Sequence, residues 1–183
     1  MPVYIALLRA VNLPGYKPVA MADLRDLLAD LGLENGRSLL QSGNLVFRSA
    51  SRSTAQLEQR LEVETNKRLE LETDYFVRSA AEWDDALSGN PFPKEAERDP
   101  AHLVVLCLKR APSARAVGAL RAAIKDREVV QARGKQAYIV YPDSIGQSRL
   151  TMHIIETALG TRATGRNWNT VRKLGAMANQ LSG

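Results

Sequence analysis

Three short polar stretches carry the side chains best suited to chemistry. In the first, an apolar run ends at Arg9-Ala10-Val11-Asn12, so a guanidinium and an amide stand at the end of a β-like segment. Strand ends in α/β packings are frequent ligand positions. In the second, Gln41-Ser42-Gly43-Asn44 offers two amides and a hydroxyl beside a glycine that lets another backbone or a ligand approach closely. In the third, Thr164-Gly165-Arg166-Asn167-Trp168-Asn169-Thr170 precedes the last helical segment. There, Asn167 or Asn169 can cap the helix, its first N–H groups favour an anion, and Arg166 adds a planar fork that fits phosphate or carboxylate. Trp168 suits stacking on a ring or wedging the loop against a core. Together, Arg9, Asn12, Gln41, Ser42, Asn44, Arg166, Asn167, Trp168 and Asn169 are expected to bind a small anionic ligand in a cleft between two subdomains. Each residue also has a structural role open to it: Arg9 in an ion pair, Gly43 and Asn44 in a hairpin turn, and Asn167 in a cap.

Other chemical templates are absent from the chain. There is no phosphate loop, no glycine-rich dinucleotide fingerprint, no serine-nucleophile elbow and no His/Glu zinc helix. His102 and His153 are isolated, so no metal is expected, and no cofactor is implied. No residue stands out as a nucleophile or a general base, and no catalytic residue is assigned. Cys107 is the only cysteine and lies in Leu103-Val104-Val105-Leu106-Cys107-Leu108, which predicts a buried, inert thiol.

The elements that must position these residues read as α+β. Val3 to Leu8 is a continuous apolar run, the pattern of a strand buried on both faces. Leu24, Leu27, Leu28 and Leu31 recur at helical spacing. Leu39 to Gln41 and Leu45 to Phe47 flank Ser42-Gly43-Asn44 as a hairpin. Ser53 with Gln56 opens a helix, and Leu71, Thr73, Tyr75 and Val77 alternate as a strand. This order, βαββαβ, predicts a ferredoxin-like subdomain over residues 1–89, whose last helix opens at Ser79 with Glu82. Residues 90–100, with Asn90-Pro91-Phe92-Pro93, read as a connection. Residues 101–183 read as a second α+β subdomain of order βαββα, closed by a helix carrying Val171, Leu174, Ala178 and Leu181. The two halves show no sequence repeat.

A hydrophobic share of 45% fits a folded globular protein. The net charge of +5 permits an anionic partner. Arg48, Arg52, Arg60, Lys67, Arg68 and Arg78 form no dense block, whereas dedicated nucleic-acid binders tend to gather charge on one face. A nucleic-acid-binding module and a ligand-free protein-interaction module remain as alternative readings. No run is long enough to span a bilayer, and the cysteine usage fits a cytoplasmic location.

The same segments carry a family resemblance. Tyr4 to Asn12, Met21-Ala22-Asp23-Leu24, Gln41 to Phe47 and Arg166 to Val171 resemble the bacterial family known as domain of unknown function 1697, as do Asn90-Pro91-Phe92 and the stretch from Tyr138 to Leu150. That family tends to have glycine at the position of Ala10, a glycine pair at Pro14-Gly15 and lysine at Arg149. The resemblance implies an α+β fold of ferredoxin-like character and no established activity.

Overall fold

A computed structural model describes residues 1–183. The chain forms two compact units, Met1–Asp85 with Lys173–Gly183, and Ala86–Arg172. The C-terminal eleven residues, which the sequence pattern groups with the second half, thus belong to the first unit.

The first unit runs β1 (Val3–Leu8), α1 (Met21–Asp30), β2 (Glu34–Ser38), β3 (Asn44–Arg48), α2 (Thr54–Leu69) and β4 (Tyr75–Ser79), followed by α3 (Ala80–Ser88). Its antiparallel sheet has the order β2-β3-β1-β4, the ferredoxin-like arrangement. All six β1 residues are buried, as their unbroken apolar run predicts. One face of the sheet (Tyr4, Ala6, Leu8, Phe47, Val77) packs on Leu24, Leu28, Leu57 and Leu61 of the helices. Full burial of such a side chain stabilises by about 1.5–3 kcal/mol. Val3, Ile5 and Leu7, which alternate onto the other face, are buried too.

Local sequence signals account for the helix starts. Ser53 Oγ accepts from Gln56 N–H, and Ser79 with Glu82 forms a reciprocal capping box. Helix α2 also closes a sheet edge. Glu62 and Glu58 accept from the N–H groups of Tyr75 and Val77 on β4. A four-residue helical step of about 6 Å matches a two-residue strand step of about 6.8 Å, so the two carboxylates meet two successive outward N–H groups. The edge is thereby withdrawn from pairing with another chain.

The second unit runs α4 (Pro93–Arg98), a 3-10 turn (Pro100–His102), β5 (Leu103–Leu108), α5 (Ala114–Ala123), β6 (Val129–Arg133), β7 (Gln136–Val140), α6 (Met152–Leu159) and β8 (Ala163–Asn167). Helix α7 (Trp168–Ser182) begins in this unit and ends in the first. The second sheet has the order β6-β7-β5-β8, again fully antiparallel. The α+β class and the ferredoxin-like first subdomain therefore stand, and the second half gains a strand. Ala163 to Asn167, expected to be loop, completes a second βαββαβ set.

A second difference lies at β2. The strand covers Glu34–Ser38, whereas Leu39 and Leu40 belong to the turn, with Leu40 at φ 60°. Asn44 is the first residue of β3, so the positive φ values of that turn fall on Leu40 and Gly43 and not on Asn44. Polar residues suffice for β2 because it is an edge strand that pairs on one side only.

The two sheets share one register, although their sequences show no repeat. Ile5 lies opposite Val46 and Arg78 in the first, and Val105 lies opposite Tyr138 and Arg166 in the second. Leu8 N–H donates to Gly43 O, as Leu108 N–H does to Lys135 O. Arg9 N–H donates to Asp74 O, as Lys109 N–H does to Arg162 O. Arg78 and Arg166 therefore hold equivalent places, and each donates to the carbonyl of the residue before it.

Candidate functional site

The structure brings five of the nine candidate residues together at the end of β1 in the first unit. Arg9 follows β1 and is half-buried; its carbonyl accepts from Thr73 Oγ1 at 2.8 Å. Asn12 is a clamp. Its Nδ2 donates to Val19 O at 3.0 Å and to Gln41 O at 2.7 Å, while its Oδ1 accepts from Val19 N–H at 2.8 Å. Asn44 is fully buried, and its Nδ2 donates to Leu39 O and Ser42 Oγ. The side chains of Gln41 and Ser42 are exposed. Of these five residues, Gln41 and Ser42 are exposed, whereas the amides of Asn12 and Asn44 are committed to holding the turn.

Backbone strain is concentrated in the same place. Ala10 at φ 54°, Asn12 at φ 55° and Leu40 at φ 60° all lie in the left-handed region. Asparagine tolerates it, and alanine does so at a cost of roughly 1 kcal/mol or more. Ala10→Gly is therefore expected to stabilise the protein by about 0.5–1 kcal/mol, after allowing for the extra freedom glycine gives the unfolded chain. A rise in the midpoint of chemical denaturation checks this, and a fall would show that Ala10 carries a compensating contact.

The other four candidates lie in the second unit at the junction of β8 and α7. Arg166 sits within β8, opposite Val105, and its Nη1 donates to Thr164 Oγ1 and Gly165 O. Loss of solvent around it pushes its guanidinium down to about 10, so it is still a cation at neutral pH. Asn167 caps α7 by accepting from Thr170 N–H at 3.0 Å. Trp168 is buried, and Asn169 is exposed. Cys107 is a buried thiol in no disulfide, as its apolar run predicts.

A cavity of about 380 Å³ in this unit adds residues that the sequence pattern did not single out for binding. Trp168 and Arg172, one helical turn apart on α7, form part of its wall, and Ser88, Asn90 and Glu97 contribute polar groups. Asn90 Oδ1 accepts from Phe92 N–H, which fixes the amide and turns its Nδ2 away from that bond. The spacing of Trp168 and Arg172 is the signal that could have paired them. Asn90 and Glu97 come from the stretch 90–100, which reads as a connection, and Ser88 ends the helix before it, so no periodicity marks the three together.

A family model described as "Protein of unknown function (DUF1697)" matches residues 1–138. Among solved structures, the chain is similar to the conserved bacterial protein SP0830 from Streptococcus pneumoniae, with 26% identity and a TM-score of 0.75. That match covers 97% of this chain and 98% of the other. No curated protein matches. The chain belongs to the DUF1697 family.

Proposed function

We propose that the protein binds a small ligand bearing a phosphate or a carboxylate in the cavity beside the start of α7. The observation that carries this reading is the lining of that cavity, where Arg172 and Asn90 stand with Trp168. A volume of about 380 Å³ suits a ligand of sugar-phosphate size. Arg172 would take the anionic group through its fork, and the apolar wall would take a carbon skeleton. Glu97 in the lining disfavours a bare anion beside it and suits a hydroxyl or an amine on the same ligand. Arg166 lies within β8 and Asn167 caps α7, so both fix the start of the helix that carries Trp168 and Arg172. Exposed Gln41 and Ser42 and half-buried Arg9 are the corresponding candidates of the first unit.

Calorimetric titration with inorganic phosphate and with a simple phosphate ester tests the reading. Arg172→Ala is expected to weaken binding by about tenfold or more, in line with loss of a charge-assisted hydrogen bond of about 1.5–3 kcal/mol. Because Arg172 is exposed, its unfolding transition should stay within about 0.5 kcal/mol of wild type. A wild type that takes up neither probe, or a variant that binds both equally well, rejects the cavity as the site.

A further inference from the structure

The charge of the chain is divided unevenly between its two units. The second unit has fourteen Lys and Arg against seven Asp and Glu, a net of +7, while the first has eleven against thirteen, a net of −2. Residues 100–125, 129–142 and 157–172 of the second unit carry no carboxylate at all. Several of its acids are taken up elsewhere. Asp126 pairs with Arg149, Asp143 with Arg127 and Asp99 with His102, while Glu156 accepts from Ala163 N–H.

The fold gathers several cations at one end of the second sheet. Lys109 follows β5, Lys135 precedes β7 and Arg162 precedes β8, and backbone hydrogen bonds place the three side by side. Arg110 is held there as well, its Nη2 donating to Gly160 O at 2.9 Å. Beside this end, a groove of about 280 Å³ is lined by Pro112, Ala114, Val117, Arg121, Arg133 and Gly134. Ser113 caps α5, and Arg115 stands in its first turn with no acidic residue. A cation at a helix start is electrostatically disfavoured on its own, and the positive end of the helix adds to the field of Arg121 and Arg133. Arg110, Arg115, Arg121 and Arg133 are all exposed, and the exposed large side chains of this unit, Val129 and Ile145, are not aromatic.

We propose that this basic end docks the phosphate backbone of a duplex nucleic acid without reading its bases. Several cations around one groove fit a row of phosphates better than a single ion. Binders of single strands supply aromatic platforms for unstacked bases, and this surface has none. The groove is distinct from the cavity beside α7, and the inference does not depend on binding there.

Fluorescence anisotropy with a labelled 24-base-pair DNA duplex, the matching RNA duplex and a single strand tests the proposal. Wild type should bind duplex with an affinity that falls steeply with salt, with a log–log slope near −3 to −4 if about four phosphates are neutralised. Arg115→Glu with Arg133→Glu should cut duplex affinity at least tenfold and shrink the slope by about two. Lys67→Glu with Arg52→Glu makes the same change in net charge on exposed residues of the first unit and should leave affinity within about threefold. Circular dichroism confirms that both variants are folded. No duplex binding at low salt, equal losses from both pairs of changes, tighter binding of the single strand, or equal competition by polyglutamate would each overturn the proposal.

Discussion

Gly43→Ala is expected to destabilise the first unit by about 2–5 kcal/mol, among the largest effects of any single methyl group added to this chain. Two costs combine. Gly43 has φ +84°, a region that an L side chain enters at a cost of roughly 1–2 kcal/mol. A Cβ there would also lie 2.8 Å from Leu8 Cβ and 2.8 Å from Val11 Cγ2. Neither neighbour can yield cheaply, because Leu8 ends the buried central strand and Val11 is buried in the turn beyond it. Overpacking of this kind costs about 1–3 kcal/mol more. Gly43 O accepts from Leu8 N–H, so a shift that relieves the clash would strain that bond. Urea denaturation followed by circular dichroism should show the midpoint falling with an unchanged slope. A midpoint within about 0.5 kcal/mol of wild type would mean that the hairpin relaxes freely, and the close packing described here would then not hold it.

The close approach of Gly43 to β1 was legible from residue types, because glycine between two strand signals marks a turn or a close contact. The strands with unbroken apolar runs, β1 and β5, were equally legible, as were the caps at Ser53 and Ser79. Two strands were not. Polar residues fill β2 because it is an edge. Strand β8 carries glycine where a Cβ would meet Leu106 Cδ2 and Val104 Cγ1 at 2.9 Å, and it carries Arg166 where a strand signal would need an apolar side chain. Packing against β5 imposes that glycine, and it removes the β propensity that would have announced the strand. The repeat was invisible for a related reason. What the halves share is backbone register, and equivalent places hold different side chains, such as Arg9 and Lys109 or Ser79 and Asn167.

The polar character of the candidate residues was legible, but the role of each residue was not. Sequence marks an amide as polar, yet it does not tell whether neighbouring backbone has already claimed it. Asn44 and Asn167 turned out to serve a turn and a cap. Charge behaved in the opposite way. Arg121 and Arg133 are far apart for a sequence pattern, and only the packing of α5 beside the β6–β7 hairpin brings them to one groove.

Asn12 gives the sharpest test of structural against ligand-binding roles, and Asn12→Ala is expected to cost about 2–4 kcal/mol. Its amide closes the loop of residues 13–18 by a two-way exchange with the backbone of Val19, and it holds Gln41 O as well. Three hydrogen bonds at about 1 kcal/mol each would be lost, and the Val19 N–H would need a new partner. Alanine at φ 55° adds the left-handed penalty that asparagine largely avoids. Asn12→Gly separates the two causes, since it loses the bonds but suits the backbone, and it should be less damaging than alanine. Asn12→Asp should be at least as damaging as alanine, because a carboxylate would face the carbonyls of Val19 and Gln41 with no proton to donate. Chemical denaturation of the three variants gives the order directly. Were Asn12→Ala to unfold at the wild-type midpoint, the clamp would be energetically idle, and the amide would be available to a ligand near Gln41 and Ser42. The predicted order, with glycine mildest, instead fixes Asn12 as the residue that shapes this turn and leaves contact with a ligand to its exposed neighbours.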